Sequence, residues 1–464
     1  MNRDISPRLR FPPWAGRNFR LLAASAFVTG LGASGAVVAS AFAVLHVGGS
    51  GTDIGLVAAA RTVPLVVFLL IGGAVADRLP RHRVMVAANC LNAISQGLFA
   101  ALVLTGRAEI WHMAVLSALG GTGQAFFAPA NEGMLLSTVD SAHAGRAFAV
   151  FRLGVNGANV GGAALAGALV ALAGPGWVLA LDAACFAVAA GLRSLLRVSP
   201  AALRDTAGRH GGGLLRDLRD GWREFASRRW LWGIVVQFSV VNAVITASEA
   251  VYGPLVAREN LGGAGPWGAA LAAFGVGNLL GGLLMLRWRP RRILLAGVLC
   301  VFPFSLPAAA LALALPVPLL ACAMLLAGVS IEVFGVNWMM ALHQEIPEDK
   351  LSRVAAYDWF GSVSMMPIGT ALAGPAAGAF GLYGALWGCA GLTVLLTGAV
   401  LTLPEVRRLR RQDDPEAGRT VARGGQPSDG QPSGRQPSDG RPTGGQPTPK
   451  EPSGGIGEGT ASLS

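Results

Sequence analysis

The sequence predicts an all-α polytopic membrane protein, with twelve transmembrane helices in two six-helix bundles related by a parallel repeat. Three observations carry this. Of 464 residues, 52% are hydrophobic and only 14% charged, where a soluble chain would carry about 25% charged residues. Mean hydropathy is +0.51. Apolar runs of about twenty residues, the length that spans a bilayer, recur from end to end. Finally, a shift of 207 positions lays Arg146 on Arg353, Gly154 on Gly361, Gly162 on Gly369, Ala164-Leu165-Ala166-Gly167 on Ala371-Leu372-Ala373-Gly374 and Gly174 on Gly381. The same register pairs Gly121 with Gly328 and Phe127 with Phe334. A duplication of six spans leaves both ends of each half on one side, which makes the repeats parallel.

Taken in order, residues 1–18 are a basic lead-in, and the first span runs from about Phe19 to Val47. It is longer than a signal-peptide core and lacks a convincing cleavage site, so it is expected to be retained. The second apolar run, Ile54 to Ala76, ends in Asp77-Arg78-Leu79-Pro80-Arg81-His82-Arg83, and a third starts at Val84. Two spans joined by so short a charged turn form an antiparallel hairpin. Its bases place that turn in the cytoplasm. Spans four to six follow at about Ile110–Leu136, Arg146–Ala173 and Gly174–Leu196; Pro129 should kink the fourth.

Residues 1–196 thus read as an N-terminal bundle and 197–229 as a cytoplasmic linker. In the linker Leu214, Leu218, Trp222 and Phe225 recur at helical spacing, opposite Arg216, Arg219, Arg223 and Glu224, as in an amphipathic surface helix. Residues 230–404 hold six further spans. Residues 405–464 open with the basic collar Arg407, Arg408, Arg410 and Arg411, suited to anionic headgroups. The Gly/Gln/Pro/Ser repeats beyond it have almost no apolar residues, and a disordered cytoplasmic tail is expected.

The formal charge of +11 would suggest nucleic acid in a soluble chain. Here the bases fall mostly in alternate connections and at the two ends, whereas Arg107 and Arg258 are the clear exceptions on the other side. Positive-inside topology accounts for them, with both termini cytoplasmic. The five cysteines stand singly in apolar segments without metal or redox spacing. No Gly-Lys-Ser/Thr phosphate loop, nucleophile motif or histidine cluster is present, so neither direct ATP coupling nor catalysis is expected. No cofactor and no metal site are predicted.

The stretch Gly73, Asp77, Arg78, Arg81 and Arg83 resembles the signature turn between helices two and three of major facilitator superfamily transporters, with Pro80 and His82 as departures. Arg17-Asn18-Phe19-Arg20-Leu21-Leu22, Pro129-Ala130, Asp217-Leu218-Arg219-Asp220-Gly221-Trp222-Arg223, Trp338, Gln344, Pro347, Arg353, Asp358 and Gly374-Pro375 resemble the branch holding the enterobactin exporter and macrolide efflux proteins. The resemblance covers nearly everything except the tail. It implies a secondary transporter of the plasma (inner) membrane exporting a drug-like or siderophore-like molecule by alternating access, with proton antiport and a monomeric state. Uptake of a small metabolite, or a non-transporting receptor, are the alternatives. The resemblance also makes Asp77 part of a conformational gate. The Arg that proton-coupled relatives often carry in span four has no counterpart around Ser117.

Charges inside spans cost roughly 2.5–3.5 kcal/mol on insertion scales and therefore face a cavity or a partner. Glu332, Glu249, Arg61 and Arg152 are the candidates for proton coupling or substrate contact. For the two acids the alternatives are a proton carrier and a structural partner; for the two bases, an anionic substrate and neutralisation of a nearby acid. Arg61 precedes Asp77 by sixteen residues, about 24 Å along a helix. Asp182 reads as a structural acid near an outer end. The gate predicts that Asp77→Asn abolishes transport while expression stays intact; unchanged transport in a cellular efflux assay would remove that role.

Overall fold

The computed structural model describes residues 15–139, 143–196 and 222–412. Among these no strand occurs, and eleven helical segments are long and apolar enough to cross a membrane. In chain order the helices of the first half are α1 (Arg17–His46), α2 (Gly51–Arg78), α3 (Arg81–Leu104), α4 (Ile110–Ser137), α5 (Ala144–Ala173) and α6 (Pro175–Ser194). Those of the second are α7 (Arg229–Leu261), α8 (Ala264–Arg287), α9 (Ile293–Ala312), α10 (Val317–Glu345), α11 (Glu348–Val363 continued by Met366–Phe380) and α12 (Leu382–Val400). The 28-residue α4, packed against α2 and α3, completes the twelve.

Two boundaries depart from the sequence reading. The basic hairpin is tighter than a charged loop, because α2 stays helical through Asp77 and Arg78 and only Leu79 and Pro80 separate it from α3. Pro80, with φ −56° and ψ 113°, provides the extended residue that starts α3. The seventh span continues to Leu261, five residues past Val256, through π-helical turns at Ser248–Tyr252 and Ala257–Leu261. The side chain of Pro129 lies outside the described ones.

The repeat is visible in the packing. α1 lies on α5 and α6, as α7 lies on α11 and α12; α2 lies on α4 as α8 lies on α10. Lipid supplies no hydrophobic drive between helices, so close backbone approach through small residues holds them together. A Cβ at Gly121 of α4 would run into the carbonyl of Arg61 on α2, and one at Gly328 of α10 into the carbonyl of Phe274 on α8. Likewise Gly162 of α5 receives the Leu31 carbonyl of α1, and Gly369 of α11 the Ala243 carbonyl of α7. Both pairs are 207 residues apart. Gly174 (φ 89°, ψ 165°) and Gly381 (φ 74°, ψ 156°), also 207 apart, make the one-residue turns α5–α6 and α11–α12. Their left-handed φ favours glycine.

Side-chain hydrogen bonds stitch the second bundle. Gln237 donates to Thr397 at 2.9 Å, Tyr252 to the Ala373 carbonyl at 3.0 Å, and the Trp338 indole to Asp358 at 2.9 Å. Past α12, Gln344 donates to the Arg410 carbonyl (2.7 Å) and accepts from the Gln412 amide (3.2 Å). The start of the basic collar is thereby tied to the end of α10. Residues beyond 412, including the expected disordered tail, lie outside the described residues.

Of the expected amphipathic linker, residues 222–227 are described and helical; 197–221 lie outside the described residues. Phe225 is buried and Trp222 stands 5.6 Å, ring centre to ring centre, from Tyr357 of α11. Glu224 accepts from Lys350 and from Arg228, each at 2.9 Å. These two cations, Lys350 first, hold its carboxyl below the usual glutamate range. A lowered folded value means the clip contributes stability above the ordinary glutamate pKa of about 4.3, and the contribution is lost as pH falls through the folded value. Partly exposed pairs are each worth at most about 1 kcal/mol. E224Q is therefore expected to melt slightly below wild type at neutral pH, the gap closing in the acid range below about 4.3. A gap that persists there, in thermal melts of purified protein, would deny the clip its electrostatic origin.

Candidate functional site

The eleven connections alternate between two ends. One end carries residues 79–80, 228 and 288–292 and most of the bases, and is here the basic end; the other carries 47–50, 105–109, Gly174, Gly262–Gly263 and Gly381, and is the distal end.

The bundles meet along two seams, α2 with α11 and α5 with α8. Both are tightest toward the distal end and built from backbone. A Cβ at Gly55 of α2 would lie 2.6 Å from the Thr370 carbonyl of α11; one at Gly268 of α8 would lie 2.7 Å from the Ala163 carbonyl of α5. Thr370 and Ala163 are again 207 residues apart. Gly374 fits against Thr52 in the first seam, and Gly167 against Gly268 and the Ala264 carbonyl in the second. About two turns along α2 from Gly55, the hydroxyls of Thr62 and Thr370 stand 3.5 Å apart. The seams are thus copies related by the repeat. Sequence reading flagged Gly374-Pro375 and the register of Gly167 but not Gly55 or Gly268, whose partners lie in the other half of the chain.

Of the intramembrane charges, Arg152 and Glu332 are brought together across the bundles, Nη2 to Oε2 at 3.8 Å. The Glu332 stem rests against Gly281 of α8, where a Cβ would come within 2.9 Å of the Glu332 Cβ. At 3.8 Å, with Arg152 half exposed, the pair is a long one. Glu249 sits apart from it, on the first π-helical turn of α7. It lines a small cavity of about 20 Å³ inside the second bundle, with Phe274 from α8, Phe304 and Leu311 from the α9 segment, and Met324 and Ile331 from α10.

Arg61 enters the interior of the first bundle. Its Nη1 would stand 3.5 Å from a Cβ at Gly120 of α4, which is also near Asn92 Oδ1 and Ser95 Oγ of α3. Asp182, read from sequence as an acid near a helix end, lies instead within α6 and is 1% exposed. Seven residues of α6 precede it, about 10 Å of rise, and α1 and α3 close over it. Arg193 is fully buried, its guanidinium 4.5 Å above the Phe127 ring. Neither Asp182 nor Arg193 shows its importance in sequence, since burial depends on which helix face the bundle covers.

Gly73, Asp77 and Arg78 form part of the last turns of α2, with side chains outside the described ones; Arg81 opens α3, and Arg83 is exposed one turn on. No group of three or more metal-ligating side chains occurs among the described residues.

Two paired bundles joined by repeat-related seams define a transporter. Residues 22–363 match the family model described as Major Facilitator Superfamily, and the chain belongs to that family. It is a multi-pass membrane transporter, not an enzyme. It is similar to the "Multidrug efflux pump Tap" of Mycolicibacterium fortuitum, with 30% identity over 410 residues, 84% of this chain and 96% of that one. Among solved structures it resembles the nucleoside transporter NupG (TM-score 0.65, 13% identity, 84% of this chain and 99% of that). A POT family transporter in complex with 5-aminolevulinic acid is similar too (TM-score 0.68, 11% identity, 85% and 99%). At such identities the structural likenesses speak to the fold alone.

Overpacking a close contact costs about 1–3 kcal/mol, which shifts a two-state population by roughly ten- to a hundredfold. Gly55→Val should therefore disfavour the closed distal seam and lower transport at least about tenfold, with helicity and size-exclusion behaviour kept. Full transport in whole-cell efflux assays would show that the seam does not need closure at Gly55.

Proposed function

We propose that this protein exports drug-like or siderophore-like small molecules across the plasma membrane by alternating access, driven by proton antiport. The observation that supports alternating access is the pair of repeat-related seams. Each joins one helix from either bundle through backbone contact toward the distal end, so rocking about the pseudo-twofold opens both seams together. The Arg152–Glu332 pair, long and partly exposed, adds little resistance to that motion. Efflux as the direction is supported by the similarity to a multidrug efflux pump over nearly the whole chain.

In this reading the basic end faces the cytoplasm, because Lys- and Arg-rich connections stay inside, and the conformation described is closed on the outside. Asp77 with Arg78, Arg81 and Arg83 forms the cytoplasmic latch of the first bundle. The corresponding turn of the second bundle, Arg287 to Arg292, keeps bases but has Leu286 near the position of the acid. The protein works as a monomer, since both seams lie within one chain.

Reconstitution into proteoliposomes with a panel of siderophores and antibiotics, with and without a proton gradient, tests the reading. Accumulation of at least one compound that requires the gradient is expected. Equal accumulation with the gradient collapsed would refute antiport.

A further inference from the structure

We infer that the transported proton is carried by the carboxyl of Asp182, with Arg61 as its counter-charge, inside the first bundle. This rests on the antiport reading above and names the site that reading leaves open.

The pocket is sealed and made to fit a carboxyl. Asp182 is 1% exposed, and among the described residues neither oxygen has a hydrogen-bond partner. A Cβ at Gly32 of α1 would lie 2.6 Å from Oδ1, so this glycine makes the room that the oxygen occupies. Gln96 of α3 is the nearby amide, outside hydrogen-bond geometry with the carboxyl. Arg61 enters the same bundle interior from α2, its Nη1 beside Gly120 of α4 and near Asn92 and Ser95 of α3, with no direct ion pair to Asp182 among the described residues.

Besides Arg61, the titratable neighbour of the site among the described residues is Cys185 of α6. From α1 the facing residue is Gly32; α3 offers Gln96, while its Arg81, His82, Arg83 and Cys90 lie within its first three turns. α5 carries Arg146 and Arg152 in its first three turns, toward the basic end. On α6 itself Cys185 is the neighbour. Among the described intramembrane acids, Glu332 is engaged by Arg152, Asp358 by Trp338, and Glu249 opens on an apolar cleft. Asp182 combines enclosure with a single counter-charge.

An ionised carboxyl without donors is unfavourable in an interior unless a cation compensates it. A proton adds to one carboxylate lone pair, forming one O–H bond, and the Arg61–Asp182 set passes from net zero to net +1. Release breaks that bond and restores zero. The change is placed where it can act on the seam. The Arg61 carbonyl seats on Gly121, and Thr62, the next residue, meets Thr370 of α11 across the seam. Gly55, seven residues before Thr62 on the same helix, seats the Thr370 carbonyl in that seam. Loss of the attraction between Arg61 and Asp182 frees α2 to shift relative to α11.

The test uses the full chain in liposomes. In pH-difference infrared spectra, wild type should show a carboxylic-acid C=O band that D182N removes; a band that persists in D182N overturns the assignment. With ethidium as probe and pyranine inside, D182N should lose gradient-driven accumulation and ethidium-linked proton movement by about tenfold or more. Gradient-free ethidium exchange should stay within about twofold. D182N that remains coupled overturns the proposal, as does D182N that loses exchange and coupling together while D182E restores neither. R61K should keep coupling and R61Q lose it; equal coupling in both overturns the role of the counter-charge. Wild type that exchanges ethidium yet moves no proton would instead bring down the antiport reading, separately from any variant.

Discussion

Carbonyl oxygens seated on glycine Cα atoms are the contact on which this architecture depends. In a bilayer the tails are as apolar as the helix surfaces, so helices gain from meeting only when backbones approach closely. The chain uses that contact at two levels. Gly121 and Gly328, with Gly162 and Gly369, fasten helices within each bundle. Gly55 and Gly268 fasten the bundles to one another. The physics is the same, but the positions differ. The inter-bundle contacts concentrate at the distal end, whereas those within a bundle are backed by long helix pairs. Among the described residues, a load that separates the bundles is met chiefly by the two glycine seams.

Charge is distributed according to the same division. Between the bundles stands a pair, Arg152 and Glu332, that is long and partly exposed. Within the first bundle Arg61 and Asp182 share an enclosed polar cluster with Asn92, Ser95 and Gln96. Enclosure makes each unit of charge there more consequential. Arg193 is buried without hydrogen-bond partners among the described residues and lies on an aromatic face, whose quadrupole attracts a cation. The second bundle holds its acids differently, Asp358 under an indole donor and Glu249 on a cleft. The halves share a scaffold and have diverged in their interior chemistry.

Much of the fold was legible because membrane spans are local. Hydrophobic length, charge asymmetry and the 207-residue register each depend on stretches read without knowledge of their neighbours. The register even anticipated which glycines would be equivalent, as Gly174 and Gly381 show by adopting the same left-handed turn. Boundaries were less legible where backbone geometry decides them. Leu79 and Pro80 suffice to turn the hairpin, and π-helical turns carry α7 past Val256. The candidate charges were found by their cost in lipid, but their partners were not. Arg152 and Glu332 are 180 residues apart in sequence, and the small residues beside Asp182 do not mark which face of α6 is enclosed.

By itself, the sequence determined that the chain lives in a membrane, crosses it twelve times, repeats its design once and belongs with the facilitator transporters. These follow from hydropathy, positive charge and motif, which are properties of contiguous residues. Only the tertiary structure decided which glycines join the bundles, which arginine meets which acid, and that Asp182 is enclosed. Those are consequences of helix rotation and of which faces meet. Small side chains leave rotation unspecified until backbones come close enough to exclude every alternative.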